Sequence, residues 1–334
     1  MTATLESLDK TSAGPRPLGR IWRLFNPPRG SAPYLFLMPY ILLFLMFGVF
    51  PLLFSVYLSF HVWNPIKGLD SMEYTGLENY ALALGDPVLW KSLYNTVWLA
   101  IVSGAAQHLV AIPVACILVG LGERLRQWLT SAYFVPYVTS TVAVSLVFFN
   151  MYSPNTGIIN KTLMALSDSD LFGWAFAWVK EVMPLRWLED AFLVKPAVAF
   201  VVFWKYTGFN IVLYCTGLMA IPRDLYEAAR VDGASTFRRF WHISLPLLRP
   251  FIFFAVTLTI IGNLQLFEEP FILTRGTGGV SHSAMTISMY LFQIGWEYLD
   301  MGVASAIAWM LFILIGILTG IHFKLFGRSG LGEH

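Results

Sequence analysis

Side chains able to bind or react are scarce in the apolar parts of this chain, and they cluster. One run holds Thr259, Asn263 and Gln265, followed by Leu266, Phe267, Glu268 and Glu269. Asn210 follows Trp204 and Phe209 in another run, and Lys205 and His108 are further polar groups inside apolar sequence. Hydroxyls and amides in hydrocarbon find no water, so each must bond to a neighbouring helix or face a cavity. Facing a cavity, they offer reversible hydrogen bonding to a polar solute. Facing a helix, they are interhelical glue, and composition does not separate the two. Glu268 and Glu269 are expected at the outer mouth of their helix, where water removes most of the cost of charge. Lys205 is expected to snorkel along its stem to an interface. His108 has no acidic neighbour in sequence and reads as a hydrogen-bonded packing residue.

Signatures of covalent or hydrolytic chemistry are missing. The sequence has no G-x4-G-K-[ST] phosphate loop, no H-E-x-x-H metal pair and no nucleophile elbow. Cys116 and Cys215 both fall in apolar runs and suggest neither a disulfide framework nor a metal cluster.

The elements that must position the polar groups follow from composition. With 57% hydrophobic and 13% charged residues and a mean hydropathy of +0.63, the chain departs far from a soluble domain. A helix needs about 20 apolar residues to cross the hydrocarbon core. Six charge-poor stretches meet this, within 31–66, 92–122, 127–160, 198–220, 250–273 and 301–323, with bends expected at Pro39, Pro51 and Pro113. Residues 283–296 are too few to span and read as an outer-face or re-entrant element. The expected fold is an all-α membrane protein of six transmembrane helices. Residues 1–30 form a tail, 31–326 the membrane domain and 327–334 a second tail. Small residues in the last span, Gly302, Ala304, Ala308, Gly316 and Gly320, suit close contact with another subunit.

Charge placement orients these spans. Fourteen Lys and Arg fall in the two tails and the second and fourth loops, against seven in the first, third and fifth loops, which carry thirteen acidic residues. The excess marks the cytoplasmic side, so both termini are expected there, together with loop 222–249. No cleavable signal pattern precedes the first apolar run. Loop 153–195 then lies outside, and its Trp174, Trp178 and Trp187 suit either contact with another protein or an interfacial aromatic belt.

Loop 222–249 contains EAARVDGASTFRRFWHISLP, Glu227 to Pro246. Asp224 and Glu227 resemble a capping box, and Gly233 is a natural stop, which predicts a short helix over 225–232. Ser235 can cap a second helix that Pro246 then breaks. Two helices crossing at Gly233 make a protruding knuckle. Alone in water so short a helix is marginal, so another surface must cover Leu225, Ala228, Ala229 and Val231. The competing reading is a cytosolic turn whose arginines merely fix topology.

The loop matches the pattern E-A-A-x3-G-x9-I-x-L-P at every fixed position, and in this it resembles the coupling loop of ABC importer permeases. The block around Trp204, Phe209 and Asn210, and the segment from Leu266 to Gly279, resemble carbohydrate-type members, over roughly residues 30–326. The resemblance implies a type I ABC importer permease fold. It implies that Glu227, Ala228, Ala229, Asp232, Gly233, Ile243, Leu245 and Pro246 couple the chain to an ATPase. It implies a substrate path through Asn210, Thr259, Asn263, Gln265, Leu266 and Phe267. ATP and Mg would be bound by the partner, with no cofactor in this chain. Implied partners are a homologous second permease subunit, two ATP-binding cassette subunits, an extracytoplasmic sugar-binding protein and membrane lipid, with no nucleic acid. The expected location is a bacterial or archaeal plasma membrane. An ion-coupled carrier, which needs an intramembrane ion site and usually internal repeats, and a non-transporting scaffold are the rival classes.

Overall fold

The computed structural model describes residues 32–170 and 173–330. The expected tail over 1–30 lies outside them, as do residues 331–334 of the second expected tail. The described chain divides into two units, one ending at Tyr57 and one starting at Leu58.

In the first unit, α1 (Ala32–Phe44) runs into a π turn (Leu45–Val49) and then α2 (Phe50–Leu58). Pro39 is absorbed inside α1 rather than ending it. The irregularity belongs instead to Pro51. A proline ring clashes with the carbonyl four residues back, and a widened turn before it moves that carbonyl away. The run Phe36–Leu58 is long and apolar enough to cross a membrane.

The second unit opens with a two-stranded antiparallel ribbon, β1 (His61–Val62) and β2 (Glu73–Tyr74). After α3 (Glu78–Gly85), Asp86 accepts from the Val88 N–H at 2.7 Å and caps the 33-residue α4 (Pro87–Val119), with Pro87 at its first position. The expected bend at Pro113 does not break α4. The third expected span is bent. It consists of α5 (Glu123–Val138) and α6 (Thr141–Met151), which meet at 92°. The bend falls at Thr139 and Ser140, two polar residues in a charge-free run, where the chain leaves helical geometry.

Segment 153–195 carries three short helices, α7 (Ile158–Ser167), α8 (Gly173–Phe176) and α9 (Val179–Val182). The buried Asn160 amide organises it, donating to the carbonyls of Pro154 and Leu185, both at 2.9 Å, and accepting from the Trp187 indole at 2.7 Å. Trp187 thus belongs to the packing, whereas Trp174 and Trp178 are exposed.

Helix α10 (Val194–Met219) is the core of the unit, buried against α4 and α5. Gly208 makes this possible: a Cβ there would run into the Tyr133 carbonyl of α5. After α11 (Arg223–Val231) and α12 (Thr236–Arg239), a π turn (Phe240–Ser244) leads into α13 (Leu245–Leu264). Pro246 therefore does not break the helix. As at Pro51, a five-residue π turn ends two positions before the proline, and helix continues from Thr236 to Leu264. Then come α14 (Glu268–Leu273), α15 (Ile287–Phe292) with a π turn (Gln293–Glu297), and α16 (Met301–Gly330). As expected, α15 is far too short to cross. The last helix runs past 326 into the segment read as a tail. Its Gly302 and Ala304 pack within the chain, against the His61 carbonyl and Gly295, while Gly316 and Gly320 face open space. Among the described residues five helices are long and apolar enough to span, and the bent pair taken as one span makes six.

Candidate functional site

The EAA loop folds into a knuckle. Helix α11 starts at Arg223 with Pro222 at the N-cap and no side-chain cap, so the expected Asp224–Glu227 capping box does not form. Gly233 stops it with φ +74°, the left-handed region, and the Ala234 N–H closes on the Ala229 carbonyl at 2.8 Å. The Ser235 hydroxyl accepts from the Arg238 N–H at 3.3 Å and starts α12, as its position predicts.

The motif residues then divide by environment. Glu227, Ala228, Asp232 and Gly233 are exposed and Ala229 is half-buried. No residue of α11 is buried, and Val231, an apolar side chain, is 89% exposed. Ile243 points the other way and packs with Tyr226 on a core of Ile211, Tyr214, Leu218 and Leu248. Leu245 and Pro246 are half-buried above it. Tyr226 and Ser244 share a hydrogen bond of 2.9 Å, which ties α11 to the π turn. The arrangement is an exposed tip of mixed charged and apolar side chains held on a packed base.

The polar residues of the spans converge elsewhere. Asn210, Thr259 and Asn263 line one cavity of about 260 Å³ with Gln107, Tyr137, Tyr206 and Phe209. Gly104 on α4 lets α13 approach: a Cβ there would meet Thr259 and Asn263 at 3.1 and 3.3 Å. The Asn263 amide donates to the Ser103 hydroxyl at 3.1 Å and to the Ala100 carbonyl at 3.4 Å, so it bridges helices as well as lining the cavity. The Asn210 amide donates to Gln107 Oε1 at 3.2 Å. This leaves Gln107 Nε2 and Asn210 Oδ1 buried with no hydrogen-bond partner among the described residues. Both residues line the cavity beside an aromatic wall, where Tyr137 stacks on Phe209 with centroids 4.9 Å apart. One hydroxyl group can satisfy both, since it donates and accepts.

Three expected path residues fall outside. Gln265 is exposed, Leu266 is buried in a cluster with Leu99 and Val198, and Phe267 stacks on Phe271 at 4.9 Å. They follow the end of α13, where the chain turns away, a break that spacing along one helix does not reveal. Sequence reasoning also misses Gln107, although an amide within an apolar run is itself the signal. His108 receives or gives a hydrogen bond of 2.7 Å to Tyr214, in keeping with a packing role.

Two charge expectations are overturned. Glu269 is 2% exposed rather than solvated at a mouth, although Glu268 is exposed. Lys205 does not snorkel. It is 3% exposed, donates to the Thr141 hydroxyl and lies 3.8 Å from Glu269. A buried partner of opposite charge, distant in sequence, replaces the route to water.

Comparison with known proteins gives the family. Residues 107–329 match the family described as binding-protein-dependent transport system inner membrane component. The chain belongs to this family. The permease is 30% identical to the lactose transport system permease protein LacF of Rhizobium radiobacter over 87% of its own length and 92% of that protein's. It is 32% identical to the arabinooligosaccharides transport system permease protein AraP of Bacillus subtilis (strain 168), over 92% of both chains. A chain of a bacterial ABC transporter involved in the import of the acidic polysaccharide alginate superposes with a TM-score of 0.75, at 21% identity, over 92% of this chain and 99% of that one. The fold is thus that of type I ABC importer permeases. The permease is a multi-pass inner-membrane transport subunit, in a family whose ATPase is a separate chain.

Proposed function

We propose that this permease carries a di- or oligosaccharide across a bacterial or archaeal plasma membrane, with the cavity at Asn210 and Asn263 as its solute site. The observation that carries the reading is the unsatisfied pair Gln107 Nε2 and Asn210 Oδ1 beside stacked aromatic rings. Buried unpartnered amides are costly, and a solute hydroxyl relieves both at once. The aromatic faces suit the apolar face of a sugar ring. At about 260 Å³ the cavity is somewhat below the about 300–1,000 Å³ usual for ligand sites. That deficit suits a site completed by a homologous second permease subunit. The names of LacF and AraP, permeases for lactose and arabinooligosaccharides, support the substrate class.

Within this reading residues 31–326 are the membrane domain and loop 222–249 is cytoplasmic, as are the tails 1–30 and 327–334, in line with the distribution of Lys and Arg. Loop 153–195 faces outward and meets an extracytoplasmic sugar-binding protein, with Trp174 and Trp178 exposed for the contact. Two ATP-binding cassette subunits hold ATP and Mg, and one of them docks on this knuckle through Glu227, Ala228, Ala229, Asp232 and Gly233. Ile243, Leu245 and Pro246 transmit their movement to α13. ATP must favour the outward-open arrangement over the inward-facing one, or no population shift follows. The test is uptake of labelled maltose, lactose and trehalose by the complete complex in proteoliposomes. Asn210→Ala is expected to raise KM about tenfold, the loss of one good hydrogen bond. Uptake of none of these sugars, or an unchanged KM, would sink the reading of this cavity.

A further inference from the structure

The buried charge pair stands directly behind the cavity wall. Lys205 and Glu269 have side chains 4% and 3% exposed and come from helices α10 and α14. Glu269 Oε1 also accepts from the Tyr206 hydroxyl at 2.9 Å, and the Lys205 ammonium lies 5.0 Å from the centre of the Tyr206 ring. Tyr206 in turn meets Tyr137 edge to face at 6.0 Å, and both rings line the cavity. The third partner of Lys205 is Thr141, the first residue of α6 after the 92° bend. Three elements therefore meet at one ammonium: the bend, the core helix and the helix after the Gln265 break.

Stability does not account for this arrangement. A buried ion pair is seldom better for the fold than apolar residues of the same volume, because desolvation offsets the attraction. Its distinctive property is geometric. The Tyr206 hydroxyl and the Lys205 ammonium both address the same carboxylate oxygen of Glu269, so the ring is tied to the pair. We propose that Lys205 and Glu269 are positioning residues that fix Tyr206, and through it Tyr137, as the aromatic wall that reads the solute. The proposal rests on the assignment of this cavity as the sugar site. In function it makes the pair a determinant of solute affinity and choice, although neither charge touches the solute.

Tyr206→Phe removes only the hydroxyl and keeps the ring, and Lys205→Met with Glu269→Leu removes both charges without stranding either. In the complete proteoliposome system, with whichever of maltose, lactose and trehalose the wild type carries, each change is expected to raise KM about tenfold while kcat moves less than about twofold. Tyr206→Phe is expected to add nothing further in the Lys205→Met/Glu269→Leu background, because the anchor is already gone. The ratio of KM values between two sugars is expected to shift in all three proteins. An unchanged KM in Tyr206→Phe overturns the proposal even if the double variant fails to assemble, and so do fully additive effects. Asn210→Ala in parallel separates the two claims: a raised KM there with a silent Tyr206→Phe leaves the cavity standing and removes only the positioning role.

Discussion

The knuckle and the cavity are built in opposite ways. The knuckle is one contiguous stretch, Glu227 to Pro246, whose tip is exposed and whose base alone is packed. The cavity gathers Gln107, Tyr137, Tyr206, Asn210 and Asn263 from four helices, and its key atoms are buried and unsatisfied. A docking surface has to present its side chains together to a partner, so its residues can sit close in sequence and at fixed spacing. A solute site has only to bring side chains together in space, and packing can recruit them from anywhere.

That contrast can be broken by substitution, beginning with the scaffold. Gly208→Val places side-chain atoms against the Tyr133 carbonyl and should cost about 3 kcal/mol or more, as overpacking at a backbone contact does. Little folded protein is expected on gel filtration in detergent; a monodisperse peak at wild-type yield contradicts the close α5–α10 contact. Gly233→Leu should be different in kind. A Cβ there meets nothing within 4 Å, so the change brings about 1–3 kcal/mol of left-handed strain without a clash. Insertion is expected to persist while sugar uptake is lost, and normal uptake removes the coupling role of the turn. Val231→Ser touches an already exposed side chain, so the melting temperature should hold, while ATPase retention in a titrated pull-down should weaken about tenfold if Val231 is an interface anchor. At the bottom of the scale, Gln265→Ala should change KM by less than about twofold, because an exposed residue outside the cavity contributes little. A large effect there would return Gln265 to the solute path and blur the distinction.

Legibility in sequence follows the same division. The six spans, the Gly233 stop and the Ser235 cap were all readable, because each depends on local composition or on one residue's backbone preference. The capping box was over-read, since Pro222 takes the N-cap position. A proline misled once: at Pro246 a π turn absorbs the ring that was expected to end the helix. The cavity was half legible. Asn210, Thr259 and Asn263 show themselves as polar groups in apolar runs, but the hydrogen bond joining Gln107 to Asn210 spans 103 positions. Lys205 and Glu269 were misread for the same reason. Each was judged alone, as a charge needing water, and nothing in either neighbourhood announces a counter-ion 64 residues away.

The uninterrupted helix from Thr236 to Leu264 gives the two regions a mechanical relation. Its 29 residues make a rod of about 43 Å, with the Ser235 cap at one end and Asn263 near the other. Pivoting at its base by only about 5° swings the far end by about 4 Å, more than the length of a hydrogen bond. Under the proposed coupling, a small stroke at the knuckle would be geared up at the cavity, enough to pull Asn263 from Ser103 and change the shape of the wall it belongs to. The five-residue π turn at Phe240 to Ser244 sits at the short end of this lever, where any looseness in the winding would be magnified along its whole length.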